Sequence, residues 1–216
     1  MSEIEQKIAE FLLQIKAIKL EPKNPFTWAS GLKSPIYCDN RITLSYPTIR
    51  TYIRQKFSEV IQEEFGSVDM ISGVATAGIP QGVLVAQDLG VPFTYVRGSA
   101  KDHGRQNLIE GEVVSGQRVV VIEDLISTGK SSLKAVDALR EAGCNVVGLV
   151  SIFTYQLPIA EENFAKAKCR LISLSNYDAL IKYALENQFI NQAEFSTLED
   201  WRVDPEVWSN NQEEVL

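Results

Sequence analysis

The chain has 216 residues, 45% hydrophobic and 23% charged, and no low-complexity tract, which describes a folded globular protein with room for one α/β domain and a small appendage. A formal net charge of −7 excludes nucleic-acid binding by general electrostatics, because that needs a basic face. Cys38, Cys144 and Cys169 are widely spaced and form no C-x-x-C pair, so neither a disulfide framework nor a zinc site is expected, and a reducing cytoplasm fits. Charges run through the opening MSEIEQKIAEFLLQIKAIKL, and no apolar run reaches the length of a membrane span, so neither export nor membrane insertion is expected.

Ile4, Ile8, Phe11, Leu12 and Ile15 recur at helical spacing and predict an amphipathic opening helix. The stretch FTWASGLKSPIYCDNR, from Phe26 to Arg41, sets Gly31 and Pro35 among short β-prone pieces, which predicts a hairpin or pair of strands forming a small antiparallel hood beside the main sheet. Pro47 to Phe65 reads as a second helix with Ile49, Ile53, Phe57 and Ile61 in a stripe and Gly66 as its stop. Met70 to Ser72 reads as a short strand that breaks into GVATAGIP before a helix from Gln81 to Leu89. Small residues at a strand's carboxyl end let a ligand approach the backbone. Pro92 to Arg97 is the next predicted strand, and it feeds GSAKDHGRQNLIEGEVVSG, a long polar loop of the kind that serves as a lid or binding segment. Arg97, Lys101, His103 and Arg105 supply cations there; His103, the only histidine, lies in no apolar face and suits a phosphate ligand or proton donor.

The stretch RVVVIEDLISTGKSSL follows. Val119 to Ile122 form a β-branched run too short for a helix, the pattern of a strand buried on both faces of a parallel sheet. Glu123 and Asp124 are read as ending it, Leu125 to Ser131 as a loop, and Ser132 to Leu139 as a helix. Such a loop turns backbone N–H groups and the positive end of a helix dipole toward an anion, most simply a phosphate. Two carboxylates beside that anion would repel it unless they bind hydroxyls or a divalent cation one sugar's length away, so the ligand described is a phosphorylated sugar. A P-loop reading fails, since Asp124 stands where the first glycine is required. Downstream, Val146 to Phe153 and Arg170 to Ser175 read as strands, Ile159 to Ala167, Tyr177 to Glu186 and Gln192 to Trp201 as helices, and the end as an acidic tail. Strands alternating with helices predict βαβ units and a mostly parallel sheet flanked by helices. The expected layout is one domain over residues 1–216, with helix and hood to about 45, an α/β core to about 175, and C-terminal helices beyond.

The run of four apolar residues, two acids, two apolar residues and STGKS resembles the phosphoribosyl pyrophosphate (PRPP) motif of the type I phosphoribosyltransferases. Together with FTWASGLKSPIYCD and the YVR…KDHG loop, in the expected order, the chain resembles the orotate phosphoribosyltransferases. That resemblance implies the type I phosphoribosyltransferase fold and the reaction of orotate with PRPP to give orotidine 5′-monophosphate and pyrophosphate. It also implies Mg²⁺ held mainly by PRPP and water, with no direct side-chain ligation expected. Arg97, Lys101 and His103 match the family's pyrophosphate ligands, and Lys101, His103 and Asp124 are the catalytic candidates. Glu123 and Asp124 would accept hydrogen bonds from ribose hydroxyls. Leu125 and Ile126 continue the PRPP site, while Ser127, Thr128, Gly129, Lys130 and Ser131 would wrap the 5-phosphate. Ser127 and Lys33 are the candidates for contact with orotate. A homodimer is implied, with lid residues acting in the neighbouring subunit's site. Certain members carry lysine at the positions of Ala29, Ala77 and Gly98, and an arginine near orotate where Tyr155 and Gln156 stand here. Another base phosphoribosyltransferase would share Glu123 to Ser131 but lack KDHG, and a non-catalytic PRPP-binding regulator is the alternative outside enzymes.

Overall fold

The computed structural model describes residues 2–28, 30–99 and 108–213. Helix α1 (Glu3–Gln14) starts on a capping box in which Ser2 and Glu5 satisfy each other's backbone N–H groups, and it buries Ile8, Leu12 and Leu13. The hood consists of two small antiparallel pairs, β1 (Ile18–Leu20) with β4 (Ile36–Cys38) and β2 (Phe26–Thr27) with β3 (Lys33–Ser34). A 3-10 helix (Asn40–Ser45) leads into α2 (Pro47–Phe65), whose apolar stripe is buried as predicted and which ends at Gly66.

The core then alternates as expected: β5 (Met70–Val74), α3 (Gly78–Leu89), β6 (Phe93–Val96), β7 (Ile109–Glu110), β8 (Arg118–Ile126), α4 (Lys130–Glu141), β9 (Asn145–Thr154), α5 (Pro158–Lys166) and β10 (Leu171–Asn176). Helices α6 (Tyr177–Glu186), α7 (Gln192–Val203) and α8 (Pro205–Glu213) complete the order. The six-stranded sheet runs β10-β9-β8-β5-β6-β7 and is parallel except for the edge strand β7. Strand β8 lies between β5 and β9, and its β-branched run serves both faces. Val120 and Ile122 join the core under α1, α2 and α6, while Val119 and Val121 join the core under α4 and α5. This mostly parallel sheet flanked by helices, with a small N-terminal hood, is the layout expected from the sequence. Among the described residues no helix is long and apolar enough to cross a membrane.

Three predicted boundaries are corrected. Glu123 and Asp124 do not end β8, because β9 keeps pairing with it as far as Leu125 with Phe153 and Ile126 with Thr154. Helix α3 starts at Gly78 rather than at Gln81, since Gly78 lies so close to β8 that a Cβ there would stand 2.4 Å from the Ile122 carbonyl oxygen. The acidic tail contains helix α8, docked through Trp208 and Ser209, both buried. Strand β7, inside the expected loop, is an additional element.

Candidate active site

Extending β8 to Ile126 carries both acids to the carboxyl edge of the sheet, where open α/β folds bind ligands. A tight turn, Ser127 to Gly129, then reverses the chain into α4. Gly129 caps that helix with φ 75°, and a Cβ there would meet the Phe164 ring at 2.5 Å, so both backbone and space demand glycine. Asn163 of α5 fixes the turn from behind by donating Nδ2–H to the Thr128 carbonyl at 2.9 Å. No side chain caps the first turn of α4, so its N–H groups and dipole face the turn as an anion site. Gly129→Ala should therefore cost on the order of 1–3 kcal/mol, lower the melting temperature by roughly 2–10 °C and weaken the binding of a phosphate at the turn. Unchanged melting and phosphate affinity would show that the turn tolerates a side chain.

Glu123 is buried, and its carboxyl receives the Asp124 backbone N–H and the Ser132 hydroxyl, each at 3.0 Å. Burial first, and then the Asp124 charge, push Glu123 up from 4.5 to about 9. Burial also raises Asp124, against the lowering pull of hydrogen bonds from Glu123 and from backbone N–H groups. At neutral pH the free site thus keeps Glu123 protonated. Asn40, almost wholly buried, holds the backbone beneath the pair: its Nδ2–H reaches the Asp124 carbonyl at 2.7 Å, and its Oδ1 accepts from the Cys38 thiol at 3.2 Å.

Beside the acids, a cavity of about 290 Å³ is lined by Thr27, Trp28, Tyr37, Cys38, Leu125, Ser127 and Tyr155. Trp28 stacks on Tyr155 at 5.5 Å and 27°, and its indole N–H is tied to the Ile36 carbonyl at 3.2 Å. Burial raises the Tyr155 phenol and the Cys38 thiol well above their ordinary values, so the cavity walls are uncharged and carry hydroxyl donors. Such a slot suits a flat polar ring. A second cavity of about 430 Å³ shares Trp28 and Ser127 with it and extends past Thr128 and Lys130 to Val203 and Pro205.

The structure brings Glu123, Asp124, Leu125, Ile126, Ser127, Thr128, Gly129, Lys130 and Ser131 to this edge, with Leu125 and Ser127 in the wall of the 290 Å³ cavity and Lys130 and Ser131 opening α4. Lys33 is not in the cavity wall; its ammonium donates to the Thr27 hydroxyl at 3.0 Å, because Thr27 and Lys33 are cross-strand partners in the hood hairpin. Gln156, beside Tyr155, turns away to accept the Asp178 backbone N–H. Arg97 follows β6, with Nη1 3.6 Å from Glu110. Lys101, Asp102, His103, Gly104 and Arg105, like Ala29, lie outside the described residues. Thr27, Trp28, Tyr37 and Cys38 lie in the FTWASGLKSPIYCD motif, but that they line this cavity, and that Asn40 and Ser132 support the acid pair, only the folded chain shows. Tyr155 was noted only as a replaced arginine; its place just after β9, beside the acid-bearing strand, is the signal that marks it as lining the site.

A family model described as the phosphoribosyl transferase domain matches residues 44–187. An orotate phosphoribosyltransferase of Phocaeicola vulgatus is 57% identical over 208 residues, which is 96% of this chain and 98% of that protein. One of Listeria innocua is 52% identical over 205 residues, 95% of this chain and 98% of that protein. The crystal structure of orotate phosphoribosyltransferase from Aeropyrum pernix matches with a TM-score of 0.74 at 27% identity, covering 85% of this chain and 99% of that one. Likeness at this level reaches beyond the acid pair and its phosphate turn to take in the hood and the C-terminal helices, and it makes the chain a member of the phosphoribosyl transferase family, in its orotate phosphoribosyltransferase branch.

Proposed function

We propose that this chain transfers the 5-phosphoribosyl group from PRPP to a ring nitrogen of orotate, releasing pyrophosphate and forming orotidine 5′-monophosphate in pyrimidine biosynthesis. The observation that carries this reading is the adjacency of three parts: a helix N-terminus shaped for a phosphate, a strand-borne acid pair, and an uncharged aromatic slot sharing Ser127 with the phosphate turn. A ribose 5-phosphate spanning turn and acids leaves its anomeric carbon facing the slot where the base would lie.

The transition state is cation-like at that carbon. Asp124 and, once ionised, Glu123 would accept hydrogen bonds from the ribose hydroxyls and favour positive charge on the ring. The turn Ser127 to Ser131 would hold the 5-phosphate by N–H and hydroxyl donors. Ser127 and the hydroxyls of Thr27 and Tyr155 would donate to the base, with Lys33 behind Thr27 polarising it. Arg97, Lys101 and His103 are assigned by family likeness to the departing pyrophosphate, and the same likeness supports a homodimer with lid residues acting in trans and operation in the cytoplasm. Among the described residues no three His, Cys, Asp or Glu side chains are placed to hold a metal ion. By the family likeness, Mg²⁺ would be held mainly by PRPP and water. The ion would supply positive charge to offset that of the departing pyrophosphate, alongside Arg97, Lys101 and His103.

The test follows the loss of orotate's ultraviolet absorbance with PRPP and Mg²⁺, with uracil, hypoxanthine and adenine in parallel. Magnesium-dependent loss with orotate alone is expected. Reaction with another base instead, or with none, overturns the assignment.

A further inference from the structure

The hairpin of β2 and β3 supplies Thr27 and Trp28 to the base cavity, yet each strand has only two residues. An isolated pair of strands is marginal at best in water, so this wall must be held by something else. The chain supplies that support from its far end. The N–H of Lys33 points out of the hairpin, and the Ser209 hydroxyl of α8 accepts it at 2.8 Å. Ser209 is 3% exposed and its neighbour Trp208 only 8%, so this bond is made inside the molecule. From α7, the fully buried Trp201 sets its ring edge-on to both Trp28 and Tyr155, each at 5.7 Å and 81°. Trp28 is thus held between Tyr155 at the end of β9 and Trp201 of α7. Both helices lie beyond the matched family region, which ends at residue 187.

We infer that the C-terminal helices α7 and α8 are a positioning element of the base site, with Ser209 and Trp201 setting the Thr27–Trp28 wall against which the base lies. Neither residue lines the base cavity, and both act through the hairpin. The inference rests on the reading of that cavity as the base pocket. It makes a kinetic distinction, since the phosphate turn and acid pair are built from β8, α4 and α5 and do not depend on the hairpin.

The test compares Ser209→Ala and Ser209→Thr with the unaltered enzyme, measuring KM for the base, KM for PRPP, kcat and melting temperature. Ser209→Ala removes the acceptor of one buried N–H and should raise KM for the base by roughly 3- to 10-fold, with KM for PRPP and saturated kcat nearly unchanged. Ser209→Thr keeps the hydroxyl and should restore the base KM. A fall in melting temperature with the two KM values unchanged, or moving together, overturns the inference and leaves α8 as packing alone. Failure of the orotate reading shows up separately, in the base preference of the unaltered enzyme.

Discussion

Glu123→Gln should raise the melting temperature at pH 8 while cutting turnover by roughly a hundredfold. The carboxyl is raised from 4.5 to about 9 by burial and by Asp124, so between those values the folded chain binds a proton that the unfolded chain has released. Because the folded state holds more protons there, stability falls as pH rises through this window, and it levels off only above about 9. Glutamine is neutral throughout, nearly isosteric, and able to keep the bonds to Ser132 and the Asp124 N–H. It removes the titration without leaving those partners unpaired. The stabilisation should be small at pH 5, which lies only just above the unfolded value of 4.5, and large at pH 8, far up the window. Activity moves the other way, since an amide cannot supply the charge that favours a cationic sugar. Melting curves at the two pH values with steady-state kinetics decide it; equal destabilisation at both would mean that Glu123 is ionised in the free enzyme. A buried acid kept at such a cost is the usual sign of a site selected for chemistry over stability.

What could be read in advance followed from how directly chemistry or burial constrains residue type. The central strand was legible because a parallel strand covered on both faces must be apolar at every position, as Val119 to Ile122 are. The phosphate turn was legible because a left-handed helix cap against Phe164 admits only Gly129. The strand's extension through Glu123 and Asp124 was hidden, since acids normally mark a strand's end and only pairing with the long β9 overrides that. The aromatic cavity was hidden for a different reason: it joins residues of the hood, of β8 and of the stretch after β9 that lie far apart in sequence, so no single segment shows that they share one wall. Lys33 is the candidate for orotate because the family's arginine is replaced at Tyr155 and Gln156; the hairpin register sets its ammonium on the Thr27 hydroxyl, a placement no local pattern announces. Helix α8 was masked by polar composition, PEVWSNNQE, in which Trp208 and Ser209 are the buried pair.

Asn40 offers the second large effect, because it ties the hood to the acid pair through one amide. Asn40→Ala leaves the Asp124 carbonyl and the Cys38 thiol without their partner, an expected cost of about 1–3 kcal/mol and roughly 2–10 °C in melting temperature. Freed from that bond, the backbone at Asp124 no longer holds the carboxylate in one place, and kcat/KM should fall roughly 10- to 100-fold. Asn40→Asp separates packing from donation. The shape is conserved, but an ionised carboxylate would face the Asp124 carbonyl across 2.7 Å, close to the Asp124 charge, and must take up a proton to fit. Its pKa is therefore higher in the folded state than in the unfolded, so the variant's stability should rise as pH falls. The protonated acid can donate as the amide did. Asn40→Asp should then be worse than Asn40→Ala at pH 8 and better than it at pH 5, in both melting temperature and the fraction of activity retained. If the two variants run in parallel across that range, the Asn40 donor is not what fixes Asp124, and the hood contributes to the acid pair only by covering it.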